Sequence, residues 1–156
     1  MWSTLIAVLG TLGGAALASL TAHWTDRRAR AAEHRQQVLD ATVQLLAAAL
    51  AYRERFWLQI ADLRDGELPS RDDRADLYRA RSAVTHAFDR LALTTEDAEL
   101  TSIAVEAAWS AIDLNDIALG AVRDGRFSDE TETALDVGRE RSRDAHTALR
   151  DAARVL

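Results

Sequence analysis

The chain has 156 residues and a formal net charge of -6, so it has room for one ordinary domain and a short additional segment. It contains 31 Ala and 21 Leu against one Pro, and only 6% of its residues are aromatic. This composition is typical of long helices and excludes a β-rich or α/β fold. The absence of cysteine excludes thiolate metal ligands and cysteine nucleophiles. The acidic net charge disfavours a nucleic-acid binder, so no direct contact with nucleic acid is expected.

An uncharged run opens the chain. Residues 1–25 contain no charged side chain and exceed the roughly 20 residues that cross a bilayer. Trp2 and Trp24 bracket the run and lie about 33 Å apart on a helix, close to the thickness of the hydrocarbon core. Tryptophan favours the two membrane interfaces. The sequence therefore predicts a single transmembrane helix that contacts membrane lipid.

The basic residues after this run set its predicted orientation. Arg27, Arg28 and Arg30 follow the apolar segment and are assigned to the membrane interface. The positive-inside rule then predicts a single-pass cell-membrane protein with its N-terminus outside and its C-terminal part in the cytoplasm. The alternatives are a buried or interfacial helix, or a signal peptide cleaved near Ala16–Ala18.

Small residues recur at every fourth position of the segment, at Gly10, Gly14, Ala18 and Ala22. This spacing lets two helix backbones approach closely, so it predicts self-association. The alternative explanation is the high alanine content of the whole chain.

The rest of the chain predicts a charged stalk, residues 26–37, and an antiparallel four-helix bundle, residues 38–156. The first bundle helix carries two apolar stripes, Leu39/Val43/Leu46/Leu50/Trp57/Ile60 and Leu45/Ala49/Tyr52/Phe56/Leu63. Ser70 is a candidate cap for the second helix, and Ser128 for the fourth. The third is expected to begin after Thr94 or Thr95 and to run through Ala121 to a stop at Gly125.

Catalytic motifs are absent. The sequence contains no HExxH, GxxxxGK[ST], GxGxxG or GxSxG, and neither His86 nor His146 follows a Glu by three residues, as a di-iron bundle requires. No catalytic residue, metal or cofactor is therefore predicted. Asp113 and Asp116 could pair to bind a cation, but a solvated helix face or an ion pair with a neighbouring Arg is the simpler explanation.

The two remaining tryptophans, Trp57 and Trp109, are predicted to lie in the core. An exposed docking patch is the alternative interpretation.

The chain resembles the KilB-like spread proteins of mycelial actinobacteria in three segments. These are the first run (MWSTLIAVLGTLGGAALASL), the arginine-rich stretch after it and Arg35–Trp57 (RQQVLDATVQLLAAALAYRERFW). Conjugative plasmids and integrated elements carry these proteins. The resemblance covers residues 1–65, and the later helices carry no matching motif. It implies a membrane-associated, non-enzymatic helper of plasmid spread that acts with other spread proteins and a DNA translocase. It supplies no functional residues.

The sequence thus favours a non-enzymatic, membrane-anchored helical interaction protein that aids the spread of a conjugative element. An oligomeric pore-forming or membrane-perturbing protein is the alternative, because the small-residue ladder could assemble several spans.

Overall fold

The computed structural model describes the backbone of residues 2–155 and the side chains of residues 25–155. Its elements, in chain order, are α1 (Trp2–Arg64), α2 (Arg71–Thr94), α3 (Ala98–Ile112), a 3-10 helix (Asp113–Asp116) and α4 (Asp129–Ala153). The only β-type pairing among the described residues is an isolated bridge between Arg123 and Arg126. The predicted all-α class is therefore confirmed.

The chain divides into two units, Met1–Gln37 and Val38–Leu156. In the first unit, the described side chains, those of residues 25–37, are all exposed. The second unit contains the whole described hydrophobic core.

The predicted transmembrane helix is wrong. Among the described residues, no helix has an apolar stretch long enough to cross a membrane. The predicted single-pass location in the cell membrane, with the N-terminus outside and the bundle in the cytoplasm, is corrected with it. The physical reason is that residues 1–25 owe much of their length to Ala, Gly, Ser and Thr, which contribute little to insertion.

Local capping residues start the helices as their chemistry requires. The Ser70 hydroxyl accepts a hydrogen bond from the Asp73 amide, while the Asp73 carboxylate accepts one from the Ser70 amide, which completes a capping box. Ser128 caps α4 by accepting from the Thr131 amide. Both predicted caps are confirmed. Asp97 caps α3, three residues after Thr94.

Two hydrophobic clusters form the core of the second unit. The larger includes Leu45, Tyr52, Val84, Leu91 and Leu149, and so joins α1, α2 and α4, with α3 supplying Leu100 and several alanines. The smaller contains Phe56, Ile60, Leu114, Phe127 and Leu135. The same face of α1 thus serves both clusters.

One of the two predicted stripes of α1 is buried at every position except Leu63, which is partly buried. Leu45, Ala49, Tyr52 and Phe56 are buried, as is Ile60 from the other stripe. Within that other stripe, Val43 is 53% exposed and Leu50 43% exposed. The bundle therefore covers one side of α1 and leaves an adjacent apolar strip at the surface.

Helix α3 ends earlier than predicted. It stops at Ile112, and the expected helix through Ala121 is replaced by the 3-10 turn and an irregular segment. Aspartate and asparagine compete with helical hydrogen bonds through their own side chains, and three of the four residues at 113–116 are of this kind. The segment then turns at Asp124 and Gly125, which both have positive φ.

Helix α4 approaches the 3-10 turn closely at Gly138. A Cβ atom built at this glycine would lie 2.8 Å from Leu114 Cδ2 and 3.2 Å from Ile117 Cδ1. The absence of a side chain at this position therefore lets Leu114 reach the smaller core cluster.

Candidate interaction surface

Apolar and cationic side chains adjoin one another along the flank shared by α1 and α4. We call this the α1–α4 surface, and it comprises Leu50, Arg53, Trp57, Leu58, Arg139, Arg143, His146 and Arg150. The four α4 residues follow steps of four, three and four, so they share one side of that helix. The second unit contains all of them.

Direct contacts tie the two helices together here. The Arg139 guanidinium lies 4.0 Å from the centroid of the Trp57 ring, which is cation–π geometry. Arg53 Nη1 donates to the Ser142 carbonyl oxygen at 3.4 Å. The Trp57 ring also meets Phe56 edge-on, with centroids 5.2 Å apart. These contacts hold Trp57 half-buried with one ring face covered by an arginine.

The positive charges of this surface act on one another. Burial lowers the pKa of Arg53, Arg143 lowers it further, and Glu54 partly opposes them. Burial is also the main cause that lowers the pKa of His146, followed by Arg53 and Arg150. The neutral form of His146 is therefore favoured, and its Nδ1 is buried without a hydrogen-bond partner among the described residues.

Few carboxylates lie close to the arginines of the α1–α4 surface. Within the described part of the chain, Arg53, Arg139 and Arg143 have no carboxylate within 4.0 Å, and Arg150 reaches Asp151 only at 3.6 Å. An acidic protein thus carries a local concentration of arginines.

The apolar part of the surface lies beside Arg53. Leu50 is 43% exposed and Leu58 is 64% exposed, and both line a shallow groove with Arg53, Glu54 and Trp57. Exposed apolar area next to unpaired charge is typical of protein-binding surfaces rather than of catalytic sites.

Sequence reasoning missed this surface. Arg53 falls between Leu50 and Trp57 of a predicted apolar stripe, and it is the α1 member of the cationic group. The four-three-four spacing of Arg139, Arg143, His146 and Arg150 is visible in the sequence and could have indicated it.

The residues predicted to act at a membrane or in helix association are not part of this surface. The side chains of Trp2, Trp24, Gly10, Gly14, Ala18 and Ala22 lie outside the described residues. Self-association through the small residues therefore stays a prediction. Arg27, Arg28 and Arg30 are exposed on α1, and their assignment to an interface depended on the transmembrane helix that is corrected above.

A neighbouring arginine explains Asp113, the first residue of the acidic pair Asp113 and Asp116. Asp113 Oδ2 lies 3.1 Å from Arg141 Nη1, and the same guanidinium makes two further hydrogen bonds to Glu106. Asp116 is exposed. No cluster of three metal-ligating residues occurs among the described residues. The ion-pair explanation thus fits Asp113 better than a cation site.

The prediction that both tryptophans are core residues needs correction. Trp57 is half-buried and Trp109 is 41% exposed. Trp57 packs at the edge of the smaller core cluster, whereas Trp109 lies outside the set of residues that α3 buries. The core prediction thus holds in part for Trp57, which also contributes to the α1–α4 surface, and the exposed Trp109 departs from it.

Comparison with known proteins identifies the family. The sequence model of the KilB plasmid transfer protein family matches residues 39–156. The chain therefore belongs to this family, and the resemblance found in the sequence is confirmed. The match includes the later helices, where the sequence alone had shown no familiar motif.

Protein KilB of Streptomyces lividans is 39% identical over 88 residues, which represent 54% of this chain and 59% of that protein. The match thus spans about three fifths of the relative's length. No solved structure matches the chain significantly.

Proposed function

We propose that this chain is a non-enzymatic interaction module of plasmid transfer that binds an acidic, amphipathic helix of another transfer protein on its α1–α4 surface. Family membership supplies the setting of plasmid transfer. The observation that carries the proposal is that one surface contains both exposed leucines, Leu50 and Leu58, and arginines that lack close carboxylates.

The shape and charge of the surface fit such a helix. Arg139 and Arg150 are eleven residues apart on α4, which corresponds to about 16 Å, or three helical turns. A partner helix lying along this stripe could place acidic residues against Arg139, Arg143 and Arg150 while its apolar side covers Leu50 and Leu58. Helix-in-groove recognition works in this way.

A nucleic acid fits the same surface less well. The chain has a net charge of -6, which repels a polyphosphate outside the arginine stripe. The exposed Leu50 and Leu58 have no complementary group on a phosphate backbone, whereas the apolar side of a helix would cover them.

The direct test is photo-crosslinking in cells that carry the transfer element. A photoreactive amino acid replaces Leu58, which lies on the surface, or Leu93, which is 88% exposed on α2 and serves as the matched control. We expect the Leu58 probe to crosslink to an acidic helical segment of a transfer protein, and the Leu93 probe to give no such product.

Charge reversal supplies the second half of the test. Arg143→Glu should abolish the Leu58 crosslink and reduce plasmid transfer, while Arg71→Glu, an exposed arginine at the start of α2, should leave both unchanged. Crosslinks only between copies of this chain, crosslinks to DNA, or equal effects of the two reversals would each overturn the proposal.

A further inference from the structure

A cavity opens where α1, α2 and the 3-10 helix meet. Its volume is about 140 Å³, and its lining residues are Tyr52, Gln59, Arg74, Leu77, Tyr78, Arg81 and Asn115. Residues 74, 78 and 81 follow helical spacing on α2, and residues 52 and 59 are two turns apart on α1. Three separate elements therefore supply the polar groups around one space.

Tyr52 is the most informative residue of the cavity. Its side chain is fully buried, yet its hydroxyl has no hydrogen-bond partner within the described part of the chain. Buried hydroxyls are normally paired. Burial raises the pKa of Tyr52 to about 12, so the hydroxyl keeps its proton and can donate at neutral pH.

Arg81 provides the second unused donor. Its guanidinium has no hydrogen bond or ion pair to any described side chain. The positive charge of Arg81 lowers the pKa of Tyr52 because it favours the phenolate, and this effect is second in size to the opposing effect of burial. The Tyr52 hydroxyl and the Arg81 guanidinium are thus electrostatically coupled across the cavity.

The other lining groups add donors and no carboxylate. Arg74 donates one N–H to the Pro69 carbonyl oxygen at 3.1 Å, and its guanidinium has four other N–H donors. The amides of Gln59 and Asn115 can each donate or accept. The acidic group that acts on Tyr52 is Asp116, which is outside the lining and exposed. Arg74 is partly offset by Asp73, with which it interacts electrostatically, so the positive charge of the cavity comes mainly from Arg81.

We propose that this cavity binds the anionic group of a small organic carboxylate or phosphate ester, with the Tyr52 hydroxyl and the Arg81 guanidinium as its principal donors. Arginine matches the paired oxygens of both groups. Leu77 and the Tyr78 ring would contact a short organic portion. The volume is below the 300–1,000 Å³ typical of drug-sized ligands, which restricts the ligand to a small molecule. This proposal does not depend on the α1–α4 surface.

The test uses thermal unfolding of the full chain in sodium phosphate, sodium acetate and sodium chloride at equal ionic strength. We expect phosphate or acetate to raise the melting temperature above that in chloride, in proportion to occupancy. The dissociation constant follows from the concentration dependence, and isothermal titration calorimetry measures it independently.

Three variants connect the response to the cavity. Tyr52→Phe and Arg81→Gln should each weaken anion binding about tenfold or more, as expected for loss of one charged hydrogen bond. Arg71→Gln removes the same charge from α2 outside the cavity and should bind as the parent does.

The behaviour of Tyr52→Phe without anion provides an additional check. Because this change removes an unpaired buried hydroxyl, the variant should be at least as stable as the parent in chloride while losing its response to phosphate or acetate. If neither anion raises the melting temperature, or if all three variants respond like the parent, the proposal is wrong. An equal loss of response in Arg71→Gln would also overturn it, because the effect would then be one of overall charge.

Discussion

Glu132 joins three parts of the second unit, and its removal should reveal how much that junction contributes. The Glu132 carboxylate accepts a hydrogen bond from Arg64 Nη2 at 2.5 Å and another from the Phe127 backbone amide at 3.1 Å. The Arg64 guanidinium also lies 5.9 Å from the centroid of the Phe127 ring. One side chain at the start of α4 thus holds both the end of α1 and the irregular segment before α4.

The expected cost of Glu132→Ala follows from these contacts. A hydrogen bond to a charged group contributes about 1.5–3 kcal/mol when buried, and a backbone amide left without its acceptor adds about 1 kcal/mol. The Glu132 side chain is 16% exposed and that of Arg64 is 33% exposed, so water replaces part of what is lost. We therefore expect a loss of about 2 kcal/mol in the free energy of unfolding, or about 6 °C in melting temperature for a chain of this size.

Urea unfolding followed by far-UV circular dichroism measures this value. Glu132→Gln keeps an acceptor for the Phe127 amide but loses the charge, so it should cost about 1 kcal/mol. A double-mutant cycle with Arg64→Met should give a coupling energy of about 1 kcal/mol. Asp151→Ala, which removes the exposed ion pairs of Asp151, is the control and should cost less than about 0.5 kcal/mol. If Glu132→Ala costs no more than this control, or if the cycle shows no coupling, the reasoning is refuted.

Two further predictions concern α4. Burial, Arg53 and Arg150 lower the pKa of His146 in the folded state, so the neutral imidazole stabilises the fold above about pH 6.5 and this stabilisation is lost as the pH falls below that value. In His146→Gln, the urea midpoint should therefore fall less between pH 7 and pH 5 than it does in the parent. Identical pH profiles would contradict the lowered pKa of His146. Gly138→Ala should destabilise by about 1 kcal/mol, because contact with Leu114 at 2.8 Å outweighs the gain of about 1 kcal/mol in helix propensity. Gly120→Ala, with nothing within 4 Å, should change stability little, and equal effects of the two changes would be inconsistent with a close approach.

Features that depend on neighbouring residues could be predicted from the sequence. Ser70 and Ser128 were identified as caps because the chemistry of an N-cap involves only residues two or three positions away. The apolar periodicity similarly predicted helices in the second unit. Local chemistry thus determined most helix starts.

Features that depend on contact between distant segments could not be predicted in this way. Both stripes of α1 have helical spacing, and only the positions of α2, α3 and α4 decide that Leu45 is buried while Val43 is exposed. The close approach of α4 to the 3-10 helix depends on how Leu114 meets Gly138, 24 positions further along the chain. The cavity beside Tyr52 is lined by residues of α1, α2 and the 3-10 helix, so no pattern within one segment of the sequence predicts it.

The distribution of ion pairs explains how an acidic chain can attract an anionic partner. Arg55 pairs with Asp76, Arg64 with Glu132, and Arg141 with Glu106 and Asp113, so these three arginines are neutralised while they join different helices. Arg143 and Arg81 lack such partners among the described residues. Because screening at physiological salt limits the field of surface charges to about 8 Å, a ligand at either arginine responds to the local charge more than to the total of -6. Net charge therefore argues against extended polyanions, while it permits small anions and short acidic helices at the unpaired arginines.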